Sequence, residues 1–407
     1  MKNNAKLMFE YINNRLASII FRCTHKTSPN HFTRESPLGF RNTALIILNL
    51  IKKSIKVEVM NFFYQLNKDI EIPSRQALSQ AREKISYLVF KDFFDKSCEL
   101  AVDSHDARKH KGYRLFAIDG TTFAVGALKK LSAYFGETTS LKGKAMCRIS
   151  AVVDVLNDCI VDACVSPFCV GERALAIEQV NKLKTVQEII NLFDRGYWSP
   201  NLVKNIINNG QKFLMRLASN VGSTIVKDET GQIIPLRRHS FVLPSGEVEV
   251  LLTNLSEEEF TNDDLAALYA KRWGAETKYL ELKDRLQINT LSGKSVNVVL
   301  QDIYATLHMS NLVAFICFES DELIKEQTAS KDNEYEQKTN KSTCISTLRR
   351  RFIDVCLLLD DASRNAALTR LYHDIRRDVV YIDKSKPRPR DKRQLKQSRM
   401  HKKKSVL

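Results

Sequence analysis

Two apolar runs that each end in an acid, LFAIDGTT at residues 115–122 and IINLFDRGYW at residues 189–198, decide how this chain folds. Both are rich in the branched and aromatic side chains that suit strands, and each reaches a glycine within two residues of its aspartate. Short continuous apolar runs describe strands covered on both faces, as in an α/β sheet with helices above and below. A carboxylate closing such a strand points into the crevice where open α/β sheets place their ligands. Asp119 and Asp194 are therefore candidate site residues, although either one alone also suits a turn or helix cap.

Working outward, strands are expected at 113–118, 146–156 and 159–166, the last two joined by a turn at Asn157-Asp158. A helix at 172–184, a strand at 189–193, a helix at 200–208 and a strand at 212–217 then alternate, which predicts a mixed sheet with flanking helices. Residues 219–256 break the alternation with short polar strands and turns at Gly222, Gly231 and Pro244-Ser245-Gly246, ending in an apolar strand at 248–253. They read as a β insertion. A continuous helix is expected from Thr261, boxed by Asp264, to Arg285. A helical stretch at 299–318, a loop-like polar segment at 320–342 and a helix at 348–371 follow.

Upstream, residues 1–108 read as several short helices, with apolar periodicity at 44–51, 59–66 and 85–94. Ser74 is placed to cap a helix carrying Arg75, Arg82 and Lys84, a set of cations that suits either DNA or an ordinary solvated face. The expected regions are thus a helical N-terminal DNA-binding region at 1–108, a core at 109–218 and 257–319 interrupted by the insertion at 219–256, a helical region at 320–383, and a basic tail at 384–407.

Charge is distributed unevenly along the 407 residues, whose net charge is +16. Residues 384–407 hold eleven basic side chains and one acidic, residues 1–108 hold seventeen and eleven, and the intervening segment is balanced at 35 each. Basic ends around a neutral middle point to a polyanionic partner, because terminal cations raise affinity and encounter rate for phosphate backbones. An acidic membrane surface is the weaker alternative. The tail, with Pro387 and Pro389 among its cations, is expected to be disordered until it meets that partner. The start of the chain lacks the apolar core and cleavage site of a secretion signal, and no apolar run is long enough to span a bilayer, so a cytoplasmic location is expected. Nine cysteines then read as reduced thiols, and the five-residue spacing of Cys159, Cys164 and Cys169 fits no zinc site. Ser292-Gly293-Lys294-Ser295 has the end of a phosphate loop but lacks its upstream glycine.

The third acid lies in YAKRWGAETKYLELK at residues 269–283, where Tyr269, Arg272, Glu276 and Lys283 follow one another at offsets of three, seven and fourteen. On a regular helix, turning about 100° per residue, those offsets fall within roughly 60° of each other. One stripe then carries an acid between two cations. Lys271, Gly274, Lys278, Glu281 and Arg285 fall opposite it and read as the solvent face, with Leu265, Trp273 and Leu280 on the packed side. Charges on a packed face are costly unless paired or bound to something. A structural network of Glu276 with Arg272 and Lys283 is one reading; a cation on Glu276 with phosphate on Arg272 and Lys283 is the other.

These motifs, in this order, resemble the DDE transposases of bacterial insertion sequences, in the branch marked by a Tyr-Arg-Glu-Lys signature at this spacing (insertion-sequence family four). The resemblance spans most of the chain. It implies a ribonuclease-H-like α/β fold, a mixed sheet with flanking helices interrupted by a β insertion, between a helical N-terminal region and a helical, basic C-terminal one. It implies that Asp119, Asp194 and Glu276 are catalytic and hold two Mg²⁺ ions, with Mn²⁺ able to substitute, and that Tyr269, Arg272 and Lys283 grip the phosphates of transposon ends. Arg75, Arg82, Lys84 and Trp273 are further candidate DNA contacts. One ion would activate water and later a freed 3′-hydroxyl, and the other would stabilise the leaving oxygen, giving hydrolysis and then strand transfer. The expected partners are terminal inverted repeats, target DNA and a second copy of the chain in a synaptic dimer, in or near a bacterial nucleoid. A regulatory end-binding protein without catalysis, or a metal-dependent nuclease without strand transfer, are the alternatives. In one respect the chain departs from its relatives, which use a tryptophan of the insertion to hold a flipped base beside a DNA hairpin: the tryptophans here are Trp198 and Trp273, and Phe241 is the insertion's aromatic candidate.

Overall fold

In the computed structural model, which describes residues 1–66, 71–137, 143–243, 246–329, 335–358 and 360–382, the chain opens with six helices. These are α1 (Asn4–Ala17), α2 (Ile19–His25), α3 (Phe40–Leu48), α4 (Ile55–Gln65), α5 (Arg75–Glu83) and α6 (Leu88–Val102). Ser74 caps α5 as its sequence predicts, the hydroxyl accepting from the Ala77 amide at 3.1 Å.

The apolar runs then form strands. β1 (Arg114–Gly126) is followed by the short helix α7 (Lys129–Phe135), which the sequence reading did not foresee, and by the hairpin β2 (Ala145–Asp154) and β3 (Cys159–Pro167). Asp158 in the connecting turn adopts φ 56°, a left-handed conformation that aspartate tolerates better than most residues. Next come α8 (Glu172–Lys182), β4 (Ile189–Phe193), α9 (Pro200–Asn208), β5 (Lys212–Leu217), β6 (Arg237–Val242) and β7 (Val248–Thr253). Together the strands make one mixed sheet in the order β3-β2-β1-β4-β5-β7-β6. β1 runs antiparallel to β2 and parallel to β4, and β4 runs parallel to β5. The hairpin of the insertion is no separate module: β7 bonds to β5, so β7 and β6 extend the sheet at one edge.

Two helices follow, α10 (Asn262–Ala270) and α11 (Trp273–Leu280), and a π-helical turn at Glu281–Arg285 completes the segment. The capping box at the start of α10 is formed, Asp264 accepting from the Thr261 amide at 2.9 Å and Thr261 from the Asp264 amide at 3.3 Å. The rest of that expectation is corrected, because the chain breaks at Lys271-Arg272 instead of continuing as one α-helix to Arg285.

Beyond it lie α12 (Val296–Thr328), β8 (Glu336–Thr339), α13 (Lys341–Leu357), α14 (Asp361–Arg376) and β9 (Val379–Ile382), with β8 and β9 paired antiparallel. The polar segment expected as loop from Ser320 is helical to Thr328. Its Glu322–Lys325 pair and the buried Ile324 explain why: this is a helix with one anchored face. The helix expected over 348–371 is two, since Asp360 caps a new start by accepting from the Ser363 amide at 2.7 Å. The Pro244-Ser245 turn and the tail at 384–407 lie outside the described residues.

Contacts divide the chain into two compact units. One comprises Met1–Phe93, Asp284–Ser292 and Gln301–Leu407, so N-terminal and C-terminal helices share a unit; the other comprises Phe94–Lys283 and Gly293–Leu300. The second unit contains the sheet. Its core is made by the apolar runs themselves, with Leu115, Phe116, Ala117, Leu192 and Phe193 all fully buried.

Candidate active site

The parallel pairing of β1 with β4 ends at Ile118 and Phe193, so Asp119 and Asp194 are the next residues on two neighbouring strands. From there the strands part. Asp194 leads into a 3₁₀ turn at Arg195–Tyr197, whereas β1 continues to Gly126 beside β2 alone. The expectation that β1 stops at Asp119 is therefore corrected: the crevice opens because its neighbour ends, and β1 itself runs on.

α11 brings the third acid to the same strand. The Tyr279 hydroxyl donates to the Asp119 carbonyl oxygen at 2.6 Å and accepts from the Ala151 amide at 3.1 Å, which ties the helix to β1 and β2. Gly274 lets it approach, because a Cβ there would lie 2.8 Å from the Val155 Cβ. Which face is packed is thus the reverse of the expectation from sequence. Gly274 meets Val155, and Lys278 and Glu281 are buried as a mutual ion pair at 2.9 Å with Asp158 3.2 Å from the lysine, while Trp273 and Leu280 are exposed.

Tyr269 and Arg272 are nevertheless buried, at 5% and 4% exposure. The Tyr269 hydroxyl donates to Asp194 at 3.2 Å. The Arg272 guanidinium bonds Glu276 at 2.7 Å, lies 3.9 Å from the Asp119 carboxylate, and packs over the rings of Tyr269 and Trp273. One cation thus bridges two of the three acids. Burial pushes the Asp119 carboxyl up to about 6; the Gly120 amide and Arg272 oppose this, and the charges of Asp194 and Glu276 add to it. The Tyr269 hydroxyl is raised by burial, and Arg272 is held charged by Tyr269, Glu276 and Asp194 against its own burial. The acids of all three elements therefore act on one another. Among the described residues, no three His, Cys, Asp or Glu side chains form a ready-made metal cage, and Arg272 stands between Asp119 and Glu276.

Lys283 does not join this group. It is half-buried on the π turn, and among the described residues its ammonium makes no bond to the three acids. Arg82 needs a firmer correction as a DNA contact, since it is 1% exposed and bonds Asp302 at 2.7 Å and Gln301 at 3.1 Å. Burying a guanidinium requires such partners, and they remove it from the surface. Arg75 is exposed, Lys84 half-exposed, and Trp273 38% exposed. Phe241 stacks on His239 on the edge strand β6, ring centroids 6.0 Å apart. Sequence reasoning missed Tyr279 and Gly274, an aromatic and a small residue with no signal to separate them from ordinary helix packing.

Comparison with known proteins agrees with this geometry. Residues 110–312 match the family described as Transposase DDE domain. The chain is 23% identical over 320 residues to Transposase InsG for insertion sequence element IS4 of Escherichia coli (strain K12), covering 69% of this chain and 70% of that protein. The fold is similar to that of a piggyBac transposase in a cryo-EM synaptic complex with hairpin DNA, at TM-score 0.50 and 10% identity over 98% of this chain and 90% of that one. With the sheet, the two strand-end aspartates and the glutamate helix arranged in this way, the chain belongs to the DDE-type transposases of insertion sequences.

Proposed function

We propose that this transposase binds the terminal repeats of its element and cleaves and rejoins DNA, by cut-and-paste, at Asp119, Asp194 and Glu276. The observation that carries the reading is the meeting of the three acids: two follow the last paired residues of β1 and β4, and the third is bridged to Asp119 by Arg272. Their oxygens are the hard donors that Mg²⁺ or Mn²⁺ takes, and a carboxyl pushed up to about 6 is one that gains from a cation. Divalent metal there would supply Lewis-acid activation of the nucleophile and charge stabilisation at the scissile phosphate.

The chain's own residues have separate tasks. Asp119 and Asp194 offer carboxylates from a rigid sheet, and Tyr269 orients Asp194 through its hydroxyl. Arg272, holding the place between Asp119 and Glu276, would turn its guanidinium fork to a phosphate of the bound end once a cation replaces it. Lys283, on the following turn, would add a point charge to the same backbone. The likeness to the fold of a protein solved in a synaptic complex supports DNA as partner, and joining two ends supports a homodimer on DNA. Replacing Glu276 by Gln tests the assignment on a labelled terminal-repeat duplex with Mg²⁺. Cleavage should be abolished while end binding persists; loss of binding with cleavage of the remaining complex intact would make the cluster a structural network.

A further inference from the structure

A fourth carboxylate approaches the same strand from the other direction. Glu172 is the first residue of α8, and its Oε1 lies 3.0 Å from where a Gly120 Cβ would be, with its Cδ at 3.1 Å and Cγ at 3.2 Å. Side chains alternate across a strand, so Asp119 and the bare position at Gly120 face opposite sides of β1. Glu172 uses the space that the missing side chain leaves. Its partner within the fold is weak: the Arg148 Nε is 3.7 Å away and makes no hydrogen bond, and 42% of the Glu172 side chain is exposed. Nothing in the packing therefore requires an acid here.

Tyr197 supplies a second, independent observation. It follows Asp194 by three residues, is 2% exposed, and its hydroxyl has no hydrogen-bond partner among the described residues. Leaving a hydroxyl buried and unpaired costs about 1–3 kcal/mol, so such groups usually mark an absent ligand or water. The acids acting on it are Asp119, Glu172 and Asp194, which together with burial raise it far above the usual tyrosine range. The same three elements that carry the site thus enclose an unsatisfied hydroxyl next to an unneeded carboxylate.

We propose that Glu172 is a fourth carboxylate of the acidic centre, reaching past Gly120 to ligate, directly or through water, a divalent cation held by Asp119. The inference rests on the reading of Asp119 as a metal-binding residue and adds a ligand to it. Gly120 is then a functional glycine: its backbone is in an ordinary conformation, and what matters is the absence of a Cβ in the path of Glu172.

Binding of Mn²⁺ to the full-length protein without DNA tests this, followed by the electron paramagnetic resonance signal of the free ion. Glu172→Gln, which keeps the side chain's size, should weaken Mn²⁺ binding about tenfold or more, a typical effect of losing an outer ligand contact. Gly120→Ala should weaken it as well, by displacing Glu172 without removing any charge, and thermal unfolding of both variants confirms that they are folded. If wild type binds and Asp119→Asn does not, while Glu172→Gln binds like wild type, the proposal is overturned and the three-acid centre stands. If Asp119→Asn binds as well as wild type, the metal centre and the fourth ligand both fall.

Discussion

Asp119 carries a charge that the folded protein does not welcome. Its carboxyl is pushed up to about 6 chiefly by burial, so the stability it contributes is present below about pH 4 and lost as the pH rises through 6. At pH 8 the whole cost applies. Asp119→Asn should therefore stabilise the metal-free protein, on the order of 2 kcal/mol, while abolishing catalysis, a trade expected where a site is built for a ligand. Urea denaturation in EDTA checks the sign, and an unchanged or lowered midpoint would contradict it. Tyr279→Phe should act oppositely, costing roughly 1–2 kcal/mol because the Ala151 amide loses its buried acceptor and the Asp119 carbonyl its donor. At this scale the sequence is partly legible. The acids, Tyr269 and Arg272 can be picked out because a charge or hydroxyl in an apolar setting needs a reason; Tyr279 cannot, because its value lies in which backbone atoms its hydroxyl meets.

Among elements, the strands were legible and the face of the signature helix was not. An apolar run such as residues 189–193 needs only local composition to be read as a buried strand, and it forms one. Reading a face by fixed rotation assumes an unbroken helix. The break at Lys271-Arg272 and the π turn at Glu281–Arg285 both change the phase, which is why Lys278 and Glu281 are buried and Leu280 exposed. Arg82 misled for a related reason: nothing local distinguishes a solvated cation from one that will meet Asp302, 220 residues away. The close approach of α11 gives a test at this scale. Gly274→Ala would put a methyl 2.8 Å from the Val155 Cβ and should destabilise the protein by about 1–3 kcal/mol, as overpacked cores do. Val155→Gly in the same chain should recover part of the loss, and a double variant no better than the sum of its parts would show that the contact is not the cause.

For the molecule as a whole, pH and salt separate its two kinds of contact. In the helical unit His308 is fully buried on α12, its Nδ1 3.2 Å from the Phe93 carbonyl oxygen, and burial holds its pKa down at about 4. The folded state therefore refuses a proton that the unfolded chain accepts, so stability is complete above about pH 6.5 and falls by roughly 3 kcal/mol as the pH drops to 4. His308→Gln should flatten that part of the profile. Salt reports on DNA instead: removing residues 384–407, with eleven basic side chains and one acidic, should flatten the dependence of end binding on ionic strength, and an unchanged slope would show that the tail makes no phosphate contact. The central claim is tested most directly by incubating the purified protein with a labelled duplex carrying the element's terminal repeat and a target DNA, with Mg²⁺ and with EDTA. The acidic centre predicts nicking and joined product with Mg²⁺ alone, both absent when Glu276 is Gln. Binding of the repeat with no cleavage in Mg²⁺ or Mn²⁺, or cleavage that survives in EDTA, would contradict it.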